Sequence, residues 1–558
     1  MQKTGSEIVY ETLLKEKVDT IFGYPGGAVL PLYDTLTKYP QLKHILTRHE
    51  QGAAFAAEGY ARAANKVGVC LATSGPGATN LITGLANAYL DSIPLVAITG
   101  QVASDLIGTD AFQEADLNGI TLPITKHNFL VARIEDLAPT LKEAFAIAQT
   151  GRPGPVHLDI AKDIQIKQTE FNYAKIPQRK PKVEQNISVR QLAAAKNLLL
   201  AAQKPVVIAG HGVLIAGAMR ELKAFCQKID APVVTTLLGI SSIPCDSRYY
   251  LGMLGMHGQA AANFAVAQAD TIIAVGSRFD DRITGRVVEF ARQAKVIHIE
   301  IDPAEIDKII PTDVALNADA RVALIKLLPT VKPQKHRTWW TEIQRYQKLV
   351  TTQLRKACCP PKAKLLTVEV IHALNKVTPD AFIATDVGQN QMWTALNFQF
   401  KKPGRLLTSG GLGAMGFGLP AGLGAAVAVQ GKFPVWVVTG DGGLQMNLQE
   451  LTTLAAEKIP LKIAVLNNGF LGMVRQWQEL FYQKNYSAVQ LFNPDFVKLA
   501  QACGVPAWRC RRAQETRKII EQAVNTEGPA LIDFVVEPEE NVFPMMPPGA
   551  ALSETRIC

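Results

Sequence analysis

Gly440-Asp441-Gly442 is followed, 26 residues after Asp441, by the amide pair Asn467-Asn468. One carboxylate and one amide oxygen, completed by diphosphate oxygens and water, make the hard octahedral shell that magnesium requires. Glycines beside the acid let backbone N–H groups come close to a ligand. A lone Gly-Asp-Gly reads better as a tight turn with a capping Asp, so the spacing to Asn467-Asn468 and the surrounding elements decide. Val435 to Thr439 reads as a strand, Leu444 to Glu457 as a helix and Leu461 to Leu466 as a second strand. That is a βαβ unit, which puts both motif ends at the carboxyl edge of a parallel sheet. Ligands of α/β sheets bind at that edge, beside helix N-termini that favour anions.

The same grammar recurs along the chain. After an amphipathic helix over residues 3–17, Ile21 to Gly27 is a short strand breaking into a glycine turn. Ile45 to Glu50 reads as a strand delivering an acid at its end, ahead of an Ala-rich helix from Gly52 to Ala64. Strand Gly68 to Thr73 meets Ser74-Gly75-Pro76-Gly77 and a helix to Tyr89. A second α/β unit has strands Pro205 to Ala209, Val233 to Thr236, Thr271 to Val275 and Val296 to Ile301. The expected domains are 1–165, 186–330 and 365–558. Shifting the sequence by 365 residues lays Gly23 on Gly388, Gly59 on Gly424 and Gly75 on Gly440. Domains one and three therefore read as diverged copies of one fold. The third holds Asp441 where the first holds Pro76, and the first holds Glu50 where the third holds Met415.

A chain of 558 residues is too long for one core. Its 48% hydrophobic and 19% charged residues belong to a packed globular protein. The net charge of +9 is crowded into Lys162 to Lys182 and Lys332 to Lys364, which read as solvated, Pro-containing linkers, not a nucleic-acid surface. The uncharged segment Leu406 to Gly431 is Gly- and Ala-rich and broken by Pro420, so it reads as a buried loop and helix, not a membrane span. Eight cysteines, adjacent only at Cys358-Cys359, and a start without a signal peptide fit a reducing cytoplasm.

Taken together, these motifs resemble the thiamine diphosphate enzymes that decarboxylate 2-oxo acids, and among them the catalytic subunits of acetohydroxyacid (acetolactate) synthases. The resemblance runs from Gly23-Tyr24-Pro25-Gly26-Gly27 to Pro544-Met545-Met546-Pro547-Pro548-Gly549. It implies an α/β protein of three doubly wound parallel-sheet domains, two diverged cofactor-binding copies flanking a central FAD-type domain. It implies thiamine diphosphate, Mg2+ and FAD as cofactors and an active site shared between two subunits. A homodimer or homotetramer, with a small regulatory subunit, is the expected assembly.

By the same resemblance Asp441, Asn468 and the carbonyl of Phe470 hold the metal. Val387, Gly388, Gln389, Gly413, Gly440 and Gly442 embrace the cofactor, and Met415 wedges it into a bent shape. Glu50, in Arg48-His49-Glu50-Gln51-Gly52-Ala53-Ala54, is the acid set against the pyrimidine nitrogen, where positioning turns a weak base into an effective one. Its bland alternative is a helix N-cap. Gly27, Phe112, Gln113 and Lys162 match positions lining the substrate channel. Arg282 matches the group that takes the acceptor carboxylate, for which a guanidinium is suited. Trp477, with Met473 nearby, matches the wall that favours a larger acceptor, a preference of about 1–3 kcal/mol.

The implied flavin positions begin with Arg152, Gly210, His211 and Gly212. They continue through Thr236, Leu237, Met256 and His257 to Gly276, Arg278, Asp280 and Arg282, and end with Glu300 and Asp319. This set favours a biosynthetic enzyme making acetolactate from two molecules of pyruvate, or acetohydroxybutyrate with 2-oxobutyrate. The flavin would be structural, because the net reaction transfers no electrons. The alternatives are a flavin-free catabolic acetolactate synthase, a pyruvate oxidase-like enzyme, or an inactive paralogue. Glyoxylate carboligase is disfavoured because that relative lacks the acid at Glu50. Two departures stand out. Asn390 replaces the family's usual histidine in Gly388-Gln389-Asn390-Gln391, where it is expected still to donate to a phosphate oxygen. Phe55 replaces a common histidine and reads as a packing substitution.

Overall fold

The computed structural model describes residues 1–177, 187–357 and 364–557. Cys358-Cys359, parts of both basic stretches and the expected boundary at 186 lie outside the described residues. Three six-stranded parallel sheets follow one another along the chain. The first contains β1 (Thr20–Gly23), β2 (Lys43–Leu46), β3 (Gly68–Ala72), β4 (Leu95–Gln101), β5 (His127–Val131) and β6 (Pro155–Ala161). The central sheet contains β7 (Pro205–Ala209), β8 (Val233–Thr235), β9 (Tyr250–Met253), β10 (Thr271–Val275), β11 (Lys295–Glu300) and β12 (Val314–Asn317). The third contains β13 (Phe382–Thr385), β14 (Leu406–Leu407), β15 (Val435–Gly440), β16 (Leu461–Asn467), β17 (Ala507–Cys510) and β18 (Ala530–Val535). Near-continuous runs of buried, mostly apolar residues form the inner strands, as sheets covered on both faces require.

Strand order carries the duplication. The first sheet runs β2-β1-β3-β4-β6-β5 and the third β14-β13-β15-β16-β18-β17, the same permutation. The central sheet runs β9-β8-β7-β10-β11-β12, reversing direction between β7 and β10 as nucleotide-binding sheets do. Four helices matter for the site: α1 (Glu50–Ala64), α2 (Ile82–Asp91), α3 (Gly418–Val429) and α4 (Glu450–Ala456). Helices α1 and α3, equivalent in the two copies, cross backbone to backbone. A Cβ on Gly59 would stand 2.0 Å from the Ala421 carbonyl oxygen, and one on Gly424 1.8 Å from that of Ala56. The 365-residue shift carries one contact onto the other, so the copies meet about a pseudo-twofold axis.

Several local readings need correction. Glu50 does not end a strand; β2 stops at Leu46 and Glu50 opens α1, with His49 as the N-cap. The helix expected over Leu444 to Glu457 is two, Asp441–Met446 and α4, separated by Asn447, whose Nδ2 donates to the Gly416 carbonyl at 2.8 Å. The helix expected up to Tyr89 is likewise Pro76–Thr79 followed by α2. The stretch beginning at Lys332 is mostly a 21-residue helix, Arg337–Ala357, and not a solvated linker. Trp339, Ile343 and Val350 bury one face, and Trp339 Nε1 donates to the Pro205 carbonyl at 3.2 Å. In the other basic stretch, Lys162–Ile166 is a short helix and Gln168–Glu170 pairs with Gln2–Thr4. Leu406 to Gly431 is a loop and a buried helix as expected, but the loop is exposed at Gly411 to Gly413. No described helix is long and apolar enough to cross a membrane.

Candidate active site

In the third domain, β15 ends at Gly440 and Asp441 starts the next helix, buried to 1% exposure. Its Oδ2 accepts the Gly469 N–H and Asn493 Nδ2, each at 2.7 Å, and Oδ1 accepts the Gly442 N–H at 3.1 Å. No described Lys or Arg pairs with it, and burial pushes its carboxyl up to about 6. A buried carboxylate held by neutral donors lacks a counter-charge, and a cation would supply one. Asn468, just past β16, accepts the Phe470 N–H on its Oδ1 at 3.0 Å, while its Nδ2 donates to Gln389 Oε1 at 3.3 Å. Asn467 serves the frame, donating to Asp533 and accepting from Asn493.

Glycines leave room above these groups. A Cβ on Gly440 would meet nothing nearer than Asn390 Oδ1 at 3.8 Å, and one on Gly413 nothing nearer than Val387 at 3.9 Å. Gly469 faces open space altogether, and Gly388 has φ +126°. Such a cradle, next to an uncompensated carboxylate and an amide, fits a diphosphate with its metal. Asp386 secures the wall: its carboxylate accepts the N–H groups of Val387, Gly416 and Gly418. Met415, half-buried between, reaches to 3.6 Å of where a Gly442 Cβ would be.

Two expectations change here. Asn390 does not offer a donor to a ligand, because its Nδ2 is spent on the carbonyls of Asp386 and Val438, both at 2.9 Å. Its acceptor Oδ1 is the atom facing Gly388 and Gly440. Gln389 is also engaged within the protein, donating to Gln476 Oε1 and the Glu540 carbonyl. Phe55 packs as expected, fully buried with its ring edge-on to Phe417 at 5.4 Å.

The first domain gathers a different set at its own carboxyl edge. Glu50 is half-buried, Asn80 Nδ2 donates to its Oε2 at 3.0 Å, and a Cβ on Gly77 would stand 3.2 Å from its Oε1. It is not an N-cap, since the Gln51 N–H is taken by His49 Nδ1. Gly75 packs on the backbone of Gln113, which has φ +60°. Gly27 faces open space, and its neighbour Ala28 donates to Thr73 Oγ1 at 3.2 Å. Lys162 starts the helix whose Gln165 donates to the Ala28 carbonyl at 2.8 Å. Phe112 projects into solvent at 88% exposure.

Between the central and third domains lies a cavity of about 530 Å³. From the central domain it is lined by His211, Gly212, Thr236, Leu237, Met256 and His257. Gly276, Arg278, Asp280, Arg282, Glu300 and Asp319 line it too, and Arg152 reaches in from the first domain. Val387, Gly388, Gly413, Met473 and Trp477 close the far side. Of the expected flavin positions only Gly210 stays out; it packs against Gly276, whose carbonyl oxygen would be 2.0 Å from a Gly210 Cβ. His257 is buried with an unpartnered Nδ1, and burial pushes its imidazole down to about 4. Burial also raises the carboxyls of Glu300 and Asp280. A roomy cavity holding a neutral imidazole, buried acids and the arginines Arg152, Arg278 and Arg282 fits a bulky ligand with a polar, anionic part. Arg152 is paired with Glu305 at 3.0 Å, and Arg282 lies beside Met256 and Asp281. Glu50, Gly27, Phe112, Gln113 and Lys162 do not line this cavity, and neither do Asp441, Asn468 and Phe470; Glu50 belongs to the first-domain half and Asp441 to the third-domain half.

Sequence reasoning missed two residues that tie those halves together. Glu450 of α4 accepts the Arg48 N–H at 2.9 Å, and Asp91 of α2 accepts the N–H groups of Gly410 and Gly411. Both partners are more than 300 residues away, and nothing local signals such contacts.

Fold and site define a thiamine pyrophosphate enzyme. Residues 3–120 match that family's N-terminal TPP binding domain, 192–327 its central domain and 386–534 its C-terminal TPP binding domain. The chain is 47% identical to the acetolactate synthase large subunit of Corynebacterium glutamicum, over 99% of this chain and 90% of that one. It is 46% identical to the large subunit of acetolactate synthase isozyme 2 of Escherichia coli, covering 99% and 98%. A probable large subunit from Methanocaldococcus jannaschii is 46% identical over 98% and 94%. The chain belongs to the family of acetolactate synthase large subunits.

Proposed function

We propose that the protein is the catalytic subunit of an acetohydroxyacid synthase. It decarboxylates one pyruvate and joins the remaining two-carbon unit to a second pyruvate or to 2-oxobutyrate. The observation that carries this reading is the pairing of near-full-length similarity with a buried, uncompensated Asp441 under a glycine cradle. Two pyruvates and a proton give acetolactate and carbon dioxide, so no oxidant is needed and FAD serves structure.

When bound, thiamine diphosphate would supply the nucleophile and the electron sink for decarboxylation. Asp441, Asn468 and the Phe470 carbonyl would hold Mg2+, while Gly388, Gly413, Gly440 and Gly442 would admit the diphosphate closely. Glu50 would hold a proton against the pyrimidine ring of the bound cofactor, as a positioned acid–base group. Met415 props the cofactor, and Gly27, Gln113, Lys162 and Phe112 border the substrate path from the first domain. Arg282 takes the acceptor carboxylate, and Trp477 with Met473 shapes the acceptor pocket, which excludes water for carbon–carbon bond formation. Glu50 of one copy works on the cofactor held by another, so the working unit is a homodimer or homotetramer. A small regulatory subunit is the further partner, and the cytoplasm is the expected compartment.

The test is direct. Purified protein should carry a flavin spectrum and, given thiamine diphosphate, Mg2+ and pyruvate, form acetolactate. A colourless active protein would move the assignment to the catabolic type, and acetaldehyde or acetate as sole product would overturn it.

A further inference from the structure

The two copies of the fold meet through more than the glycine crossing of α1 and α3. Two carboxylates are buried across their junction, and they point in opposite directions. Glu450, the first residue of α4, is fully buried; its Oε1 accepts the Arg48 N–H at 2.9 Å and its Oε2 accepts Thr453 Oγ1 at 2.7 Å. A Cβ on Gly52 would lie 2.6 Å from the same Oε1. Glu450 therefore touches the chain on both sides of Glu50.

Asp91, the last residue of α2, does the converse. Its Oδ1 accepts the Gly411 N–H at 2.7 Å, and its Oδ2 accepts the Gly410 N–H at 3.1 Å and Arg62 at 2.6 Å. One turn earlier, Asn87 Oδ1 accepts the Ser409 hydroxyl, whose oxygen accepts the Ala414 N–H at 2.9 Å. The start of the loop leading to Met415 is thus held from the first domain, and its far end, at Ala414, is tied back to Ser409 within the loop. Arg48, Gly410 and Gly411 donate no main-chain hydrogen bond, so each carboxylate completes a loop that cannot complete itself.

We infer that Glu450 and Asp91 are a reciprocal pair of positioning residues, each copy of the fold setting the other's cofactor-facing loop. Glu450 sets the acid Glu50, and Asp91 sets the loop from Gly410 to Met415. The inference rests on the thiamine diphosphate reading. It predicts a division of labour: loss of Glu450 impairs proton chemistry, and loss of Asp91 impairs cofactor binding. A pair that merely held the domains together would show no such split.

The experiment compares wild type with Glu450→Ala, Glu450→Gln, Asp91→Ala and Asp91→Asn. Thiamine diphosphate affinity of cofactor-free protein is measured by calorimetry with Mg2+, alongside kcat at saturating cofactor. Leaving a loop N–H unsatisfied is expected to change the affected quantity about tenfold. Glu450→Ala should lower kcat by that factor with cofactor affinity unchanged. Glu450→Gln, whose amide oxygen still accepts the Arg48 N–H, should restore kcat. Asp91→Ala should weaken cofactor binding with kcat retained at saturation. Asp91→Asn, with one acceptor left, should show a smaller loss in the same direction. Affinity and kcat falling together in both alanine variants would overturn the inference. If the alanine variants fail to fold, Asp91→Asn decides, and unchanged cofactor affinity there overturns it. Wild-type protein that binds no thiamine diphosphate would overturn the functional reading and this pairing with it.

Discussion

The first and third domains share one strand permutation and one helix crossing, yet their ligand-facing edges have no chemistry in common. Where the third ends β15 in Gly440-Asp441, the first follows β3 with Gly75-Pro76; where the first opens α1 on Glu50, the third has a loop carrying Met415. A duplicated scaffold has kept what positions a ligand and divided what acts on it. The frame shows the same rule. In each copy a lysine, half-buried Lys126 or buried Lys462, ties down the C-terminal end of an equivalent helix, Ile134–Gln149 or Ala513–Asn525. Lys126 reaches the carbonyls of Ile147 and Thr150 from just before β5, whereas Lys462 reaches those of Thr526 and Gly528 from β16. Unsatisfied helix ends demand a partner, but the demand does not say which strand supplies it.

The sharpest way to break the comparison is to remove one half's chemistry and ask whether the other half's survives. Glu50→Gln should lower kcat by about 100-fold or more while thiamine diphosphate still binds. Asp441→Asn should abolish Mg2+-dependent cofactor binding. A calorimetric titration alongside an acetolactate assay separates the two, and identical behaviour would erase the distinction. A smaller effect is expected at Asn390. Asn390→Asp places a negative oxygen toward Gly388 and Gly440 and removes donors from two buried carbonyls, so cofactor affinity should fall by about 10- to 100-fold.

The shared crossing makes a symmetric prediction. Gly59→Ala and Gly424→Ala each drive a methyl into a carbonyl, and each should destabilise the fold by about 1–3 kcal/mol. Similar falls in Tm from the two variants support the pseudo-twofold; a harmless change at one of them contradicts it. The smallest effect concerns the two lysines. Burial pushes Lys126 and Lys462 down to about 8 from 10.5. Between those values the unfolded chain binds more protons than the folded one, so stability should rise with pH across that window. The rise should be smaller in the Lys126→Met, Lys462→Met double variant, measured as Tm from pH 8 to 10.

Much of this comparison was legible in the residues. The 365-residue shift exposed the duplication because glycines at strand ends and crossings cannot be replaced without backbone clashes. Asp441 stood out through its spacing to Asn467-Asn468 and the βαβ frame, since an acid between glycines alone reads as a capped turn. In the central sheet β9 and β12 went unread, Tyr250–Met253 and Val314–Asn317 being four residues each, as did β5, β6, β13, β14, β17 and β18 in the flanking sheets. The helix from Arg337 was hidden by its charge, although Trp339, Ile343, Tyr346 and Val350 recur at helical spacing and were the available signal. The engagement of Asn390 by two main-chain carbonyls, and the reach of Glu450 and Asp91 across the junction, depend on tertiary packing alone.

The central claim is that the acid of one copy serves the metal-bound cofactor of another. It is tested most directly by mixing Glu50→Gln and Asp441→Asn chains, each inactive alone, under conditions that let subunits exchange. Random pairing leaves one intact site in each mixed dimer, so activity should recover to about a quarter of wild type. A mixture as inactive as its components would contradict the account.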